Sequence, residues 1–600
     1  MFGKFKKVKN EYIKLKSLIY YFYLIHRTML NISYAKNKNV DILTELESPE
    51  FTDILNVQRY IPIYSRFFEL NSTNYNNIMF EQNYYLSKFI KKENLETNTY
   101  LVNIMDKNEN KEKVKMFCKF SPLIDPVKYM MGKYENNNIN IMPSYHSNDG
   151  VHEKLLNENN CAYIDGLFTF FSSKLLNVNF KHGIEYYGSF LGNKQNYYYN
   201  VSDDLEYISN SSYFYNNLNK LYKIENPGYE DDVLHHSCKN KKSLEVLSGE
   251  NIVLSDINEL TKNELTKNVF ENTIQKNINE LNDEELVEWN IKATDEDETM
   301  SIISENSDCS SRSSDTDNDE DDEDDEDDED DEDDEDDEDD EDDDCTSEND
   351  LMAVIYNYPV QVICMEKCKD TLDNYMSIKD IKCEEWRSIM FQLIITLSTY
   401  QKIFNFTHND LHTNNIMYIE TSEKYLYYKF NNIYYKVPTY GKIYKIIDFG
   451  RSIYKYKNAV FCSDSFNKGE DADTQYNTEP FFDENKPRLE PNMSFDLCRL
   501  GCSLFDYFIE ELDDQEDVYL KNEMAKMICG WCIDSKGRNI LYKKNGDERY
   551  PEFKLYKMIS RTVSNYVPKD VLKSNEFKKY AVNENKINKD ELMNIDILNI

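Results

Sequence analysis

From Asp319 to Asp344 every residue is Asp or Glu, an unbroken run of 26 acidic side chains. Like charges at that density repel one another, and no apolar side chain among them offsets the entropy of ordering the backbone. Such a run cannot enter a core, so any fold must be built from the chain on either side of it. The run also dominates the charge balance: the net charge is −42, and −16 remains once its 26 charges are set aside. The rest of the chain is only moderately acidic. That argues against a protein whose main task is to grip nucleic-acid phosphates, because neutralising them takes clustered Lys and Arg. No direct nucleic-acid binding is expected.

The acidic run belongs to a longer polar stretch, from about Glu230 to Glu348, that holds the small repeat NELTKNELTKN (Asn258 to Asn268) and a Ser-rich patch. It is expected to be a disordered insertion. A solvated spacer is the plain interpretation, and an arm that recruits basic proteins is the functional one. Ser314, with Asp317 three residues on, has the setting of an acid-directed phosphorylation site. At 600 residues the chain has room for three to four units of about 150 residues. At the amino terminus Lys4, Lys6, Lys7 and Lys9 precede a short apolar run, Leu18 to Ile25. Eight residues do not span about 30 Å of hydrocarbon, so no transmembrane segment is expected and an intracellular, cytoplasmic location follows. A packed first helix is preferred there over an amphipathic surface anchor. The 13 Cys are odd in number and scattered, which favours reduced thiols over a disulfide framework.

Compact segments flank the insertion. Thr97 to Asp106 and Lys113 to Phe120 are predicted strands joined by a polar turn. Cys161 to Leu176 is a predicted helix, with Ile164, Leu167, Phe168, Phe171 and Leu175 on one face. Ile184 to Leu191 and Val360 to Met365 are further strands, Glu384 to Phe404 is a strongly apolar helix, and the chain from Asn492 on is helical. Strands followed by helices suggest an α+β chain of two lobes, one mainly β and one mainly α. The Tyr-rich stretch 184–223 lacks the interleaved basic residues of a base-stacking surface, so strand packing accounts for it.

The chemistry-bearing pattern follows the apolar helix. THNDLHTNNIMY sets His408, Asp410 and Asn415 in the spacing His-x-Asp-x-x-x-x-Asn, before an apolar strand, Ile416 to Ile419. Downstream, KIIDFGRS places Asp448-Phe449-Gly450 at the end of another apolar strand. Phosphoryl transfer needs an in-line nucleophile, a divalent cation on the phosphates and rigid placement of both. Asp410 suits the carboxylate that accepts the hydroxyl proton. Asn415 offers a metal an amide oxygen without a second negative charge, and Asp448 offers a charged metal ligand, with Gly450 expected to let the chain bend away.

With these motifs in order, the chain resembles a eukaryotic-type protein kinase domain, and the resemblance implies a bilobal fold, with a small β-rich lobe and a large α-helical lobe, acting on ATP and Mg²⁺. In VICMEKCKDTLDNYM, Met365 matches the residue guarding the adenine pocket, and Glu366 to Cys368 the hinge that presents backbone groups to adenine. In SFDLCRLGCSLF, Asp496 and Gly501 match the helix that buttresses the catalytic loop. In VKMFCKF, Lys119 matches the phosphate-binding lysine at a strand end, and its acidic partner is expected on the next helix: Asp165, with Glu158 and Glu153 just upstream. Three departures stand out. No Gly-x-Gly-x-x-Gly precedes Lys119, no Ala-Pro-Glu closes the activation segment near Arg488 to Pro491, and His412 replaces the usual Lys beside the γ-phosphate. The Asp-Leu-His-x-x-Asn pattern and the insert from Tyr425 to Asp448 are similar to the haspin branch, in particular to divergent haspin-like kinases of giant DNA viruses, which would put the protein in host cytoplasm.

The expected organisation is an amino-terminal extension (1–96), the first part of a small lobe (97–228), the acidic insertion (229–350), the end of the small lobe with hinge and large lobe (351–565), and a tail (566–600). The implied activity is transfer of the ATP γ-phosphoryl group to Ser/Thr hydroxyls of a protein substrate. The implied roles are Asp410, His412 and Lys119 in catalysis, Lys119, Met365, Glu366, Cys368 and Asp165 in nucleotide binding, and Asn415 and Asp448 on metal. A pseudokinase binding module and a small-molecule kinase of the aminoglycoside-phosphotransferase kind are the alternatives. Cys529-Gly-Trp-Cys532, Cys364/Cys368 and Cys498/Cys502 have redox or zinc spacing but sit in apolar surroundings, where Cys packs as a small hydrophobe. Ser463, Ser465 and Thr474 are possible phosphorylation sites in the activation segment.

Overall fold

The computed structural model describes residues 33–36, 41–94, 97–134, 139–202, 204–225 and 351–598. The acidic run, the repeat, Ser314 and the basic amino-terminal stretch lie outside the described residues. Those described fall into two compact units, one holding residues up to Tyr197 and from Tyr356 onward, the other those from Tyr198 to Ile355. In the second unit a short strand, Tyr222–Glu225, pairs antiparallel with Met352 to Ile355, and Val201 N–H donates to Leu351 O at 2.8 Å.

The first unit combines a curled sheet with helices in a mixed α+β architecture. The strands of the sheet are β1 (Ile54–Gln58), β2 (Tyr84–Asn94), β3 (Thr99–Asp106), β4 (Lys111–Pro122), β5 (Tyr186–Asn200) and β6 (Met352–Glu366), in the spatial order β1-β5-β6-β4-β3-β2, the first unit holding β5 up to Tyr197 and β6 from Tyr356. Between β4 and β5 the chain forms α1 (Cys161–Leu176), started by Asn160, whose side chain accepts the Ala162 N–H. Two strands of this sheet, β1 and β2, lie before residue 97, so the expected extension contributes to it. The period-2 signal there is broken by three register shifts along β2 and one along β1, which move side chains off strict alternation.

After the sheet comes α2 (Cys383–Phe404), with Glu384 and Glu385 in its first turn and a left-handed Asn405 at its end. The strands β7 (Ile416–Glu420), β8 (Tyr425–Phe430), β9 (Ile433–Pro438) and β10 (Lys442–Ile446) follow. β8 and β9 form a hairpin turned by Asn431 and Asn432, both at positive φ, as a tight twisted turn requires. Then come β11 (Ile453–Tyr456) and β12 (Ala459–Cys462), α3 (Phe495–Phe508) and α4 (Phe553–Thr562). The expected tail is part of this fold: β13 (Ala581–Val582) pairs with β9, β14 (Leu592–Asn594) pairs with β8, and Asp596 accepts the N–H groups of Asn431 and Asn432. Among the described residues no helix is long and apolar enough to cross a membrane, and the cysteines are free, including Cys529 and Cys532, which are buried.

Phe168 of α1 is the hub where these layers meet. Its ring centroid lies 4.3 Å from Phe406, 4.7 Å from Phe449, 4.8 Å from Tyr454 and 5.2 Å from Tyr400. It is fully buried. Phe168→Ala should lower stability by about 3–5 kcal/mol in denaturant titrations. A loss below about 1 kcal/mol would show that the surrounding rings close over the gap.

Candidate active site

On β4 the side chains of Met116 and Cys118 are buried, while Phe117 and Lys119 emerge on the other face, partly exposed. The ladder to β6 pairs Phe117 with Met365 and Lys119 with Ile363. Lys119 Nζ lies 2.7 Å from Asp165 Oδ2 on α1 and 2.7 Å from Asp448 Oδ1. The other oxygen of Asp165 accepts the Phe449 N–H at 2.9 Å. Burial disfavours the Lys119 charge, but the two carboxylates outweigh it and raise the ammonium above its ordinary value. Burial likewise opposes ionisation of Asp448, and Lys119 holds that carboxyl below its usual value.

Asp448 itself adopts a positive φ of 62°, and Gly450 does not. A Cβ at Gly450 would meet only ordinary contacts, 3.5 Å from Asp448 Oδ1 and 3.8 Å from Cys161 O. The bend assigned to the glycine is therefore made at the aspartate.

The loop after α2 is fixed by a buried carboxylate. Asp496, near the start of α3, accepts His408 N–H at 2.9 and 3.0 Å and Asn409 N–H at 2.9 Å, so loop donors that would be orphaned in the interior are satisfied. His408 accepts Asp410 N–H through Nδ1 at 3.3 Å and donates Nε2–H to Ile447 O at 2.9 Å. Because β7 and β10 run antiparallel with Ile416 opposite Ile446, Asn415 and Asp448 flank the same end of the pair. Ile447 N–H donates to Asn415 O at 3.0 Å. The Asn415 amide donates from Nδ2 to Asp410 O at 2.9 Å and to His412 Nε2 at 3.0 Å, so neither bond uses its Oδ1. Burial lowers His412, so it is a neutral imidazole at pH 7 that accepts from Asn415.

Asp410 Oδ1 accepts the Tyr556 hydroxyl at 2.9 Å. Burial alone would raise this carboxyl, but Arg451, Arg499 and His412, with the Tyr556 bond, hold it down at about 2. In the segment expected to be a hinge, Met365 is buried, Cys368 is buried and Glu366 turns inward. Glu366 N–H donates to Glu185 O at 2.9 Å, its Oε1 accepts Glu185 N–H at 2.8 Å, and it also pairs with Lys445. Glu366 N–H is thus not available to a ligand. Glu158 and Glu153 are not the partners of Lys119; Glu158 bonds Ser65 instead.

Other residues of the site escaped the sequence. Arg451 follows the Asp-Phe-Gly and Arg499 lies inside the α3 motif, so both had a positional signal. Tyr556, 146 residues from Asp410, had none. Asp464 accepts Cys161 N–H at 2.8 Å, and Glu470 pairs with Lys128 at 3.0 Å and Lys154 at 2.6 Å, so the segment after Gly450 is clamped to the start of α1. Ser463 is fully buried there and accepts Ser465 N–H, which removes it as a phosphorylation site in this conformation. Among the described residues no cluster of three or more His, Cys, Asp or Glu would hold a metal by itself. No known protein-family model matches the chain, and no curated protein matches it.

Behind the hinge, burial first and Glu366 second push Glu185 up to about 7, against hydrogen bonds from Ser173 and Asn83. A carboxyl raised in the folded state stabilises fully below its unfolded value, and that contribution is lost as pH rises through the folded one. As pH rises from 4.5 to 8, Glu185→Gln should therefore gain stability over the natural chain, by up to about 3 kcal/mol at pH 8. Urea titrations across that range check it, and a difference that does not change with pH would refute it.

Proposed function

We propose that the chain is an ATP- and Mg²⁺-dependent protein kinase acting on Ser/Thr hydroxyls, with a bilobal arrangement in which the curled sheet is the small lobe and the helices with β7 to β10 the large one. The observation that carries the proposal is the convergence of four separated segments: Lys119 against Asp165 and Asp448, and Asn415 beside the residue preceding Asp448. The donor set fits magnesium, a hard cation that takes one or two protein oxygens and otherwise keeps water and phosphate oxygens. Asn415 Oδ1 and the carboxylate of Asp448, whose side chain is 44% exposed, are such oxygens.

Bound MgATP supplies the phosphoryl group and neutralises its charge. Lys119, kept cationic by two carboxylates, pairs with the α/β-phosphates. Asp410 accepts the proton of the substrate hydroxyl as the oxygen attacks. His412 is neutral and bound to Asn415, so it steadies the metal-binding amide and brings no charge to the γ-phosphate. Cys368, at the far end of the hinge from the engaged Glu366 N–H, is where the backbone would meet the adenine edge.

A nucleotide-binding module without turnover is the second reading, favoured by one feature: the sequence between β2 and β3, residues 95–98, contains no glycine to fold over phosphates. Radiolabelled ATP with basic and acidic protein substrates separates the two. The natural chain should transfer label, and Asp410→Ala should lower the rate roughly a hundredfold to ten-thousandfold while leaving nucleotide binding in place. Asp448→Ala should also abolish transfer. Full activity in Asp410→Ala, or nucleotide-dependent thermal stabilisation of the natural chain without product, would overturn the kinase assignment.

A further inference from the structure

The carboxylate of Asp410 is held by a side chain that the phosphoryl-transfer scheme above does not use. Tyr556 on α4 donates its hydroxyl to Asp410 Oδ1 at 2.9 Å, and the phenol oxygen of Tyr556 accepts Arg499 Nε–H from α3 at 3.0 Å. The phenol has one proton to give. With Arg499 donating into its oxygen, that proton is directed onto the carboxylate, and the cation strengthens the bond by polarising it. Tyr556 is itself immobilised. Its ring stacks on Phe553 at 5.3 Å and 16°, lies 6.0 Å from Phe495, and has the guanidinium carbons of Arg499 and Arg451 at 5.2 and 5.4 Å from its centroid. Two helices therefore fix one oxygen of Asp410 and leave Oδ2 for another donor.

We propose that Tyr556, backed by Arg499, is a positioning residue that holds Asp410 Oδ1 so that Oδ2 faces the incoming alcohol. The proposal rests on the kinase reading above. A carboxylate free to turn about its χ angles spends much of its time misaligned, and misplacement of a reacting group lowers the chemical step more than it lowers binding. The alternative role for the same contact is a latch, in which the phenol occupies the place of the substrate hydroxyl. The packing argues against it, since release would break the Arg499 bond and unstack the ring from Phe553.

The experiment measures phosphoryl transfer by the full-length chain to a basic protein substrate, at saturating ATP, for the natural sequence, Tyr556→Phe and Asp410→Asn. Tyr556→Phe keeps the ring and removes only the hydroxyl. Its kcat should fall about tenfold, with KM for ATP within twofold of the natural value. Unchanged or increased kcat overturns the inference, the increase being the mark of a latch. Should Tyr556→Phe not fold, Arg499→Lys tests the same chain of bonds, because it keeps the cation and loses the planar Nε–H. It should lower kcat severalfold with KM for ATP unchanged, and an unaltered kcat overturns the inference. No transfer by the natural chain removes the kinase reading and this inference together. Transfer that dies in Asp410→Asn but survives intact in Tyr556→Phe removes the inference alone.

Discussion

The carboxylate of Asp165 is the contact on which the rest of the site depends. One oxygen takes the Lys119 ammonium at 2.7 Å and the other takes the Phe449 N–H at 2.9 Å, so a single buried group joins the sheet, α1 and the segment that carries Asp448. A buried carboxylate is tolerated only when its charge and lone pairs are met, and here both are. The shorter Asp reaches Lys119 because α1 is almost wholly buried against its neighbours, with Phe168 of the same helix stacked on Phe406 at 4.3 Å and close to Phe449 at 4.7 Å. Packing thus sets the distance at which the ion pair forms.

The second anchor is Asp496. It organises no ligand directly; it pins the backbone N–H groups of His408 and Asn409, and the loop then runs outward to Asp410 and Asn415 with little freedom left. The antiparallel pairing of β7 with β10 does the remaining work, bringing Asn415 and Ile447 within hydrogen-bond distance across the intervening hairpin. The hairpin is in turn held by β13 and β14 from the end of the chain. Residues as distant as Asp596 therefore support the geometry at residue 415 through strand pairing.

Much of this was legible in the sequence, and the reasons differ by element. α1 and α2 carry long apolar periodicity, and their observed bounds fall within a residue of those predicted. Lys119 and Asp165 could be paired through the resemblance to kinases, which implies a lysine at a strand end and its acid on the next helix. β1 and β2 could not be found, because bulges destroy alternation over short stretches. Strands as short as β13 and β14, two and three residues long, leave no periodic trace at all. Tyr556 and Lys445 were invisible for another reason: each is an ordinary residue whose role comes from a partner far away in the chain, Asp410 in one case and Glu366 in the other.

Under the proposed kinase reading, the environment of Asp410 accounts for a histidine at residue 412 in place of a lysine. Arg451 and Arg499 both favour the ionised carboxylate. His412, desolvated and accepting from Asn415, has no charge to add at neutral pH. Positive potential around the carboxylate thus comes from the side of α3 and α4, behind Asp410, while the imidazole is spent on the amide of Asn415. A lysine at 412 has no acceptor lone pair and could not take that N–H. In the proposed kinase reading, histidine at 412 exchanges a cation for an acceptor, while the charges near Asp410 come from Arg451 and Arg499.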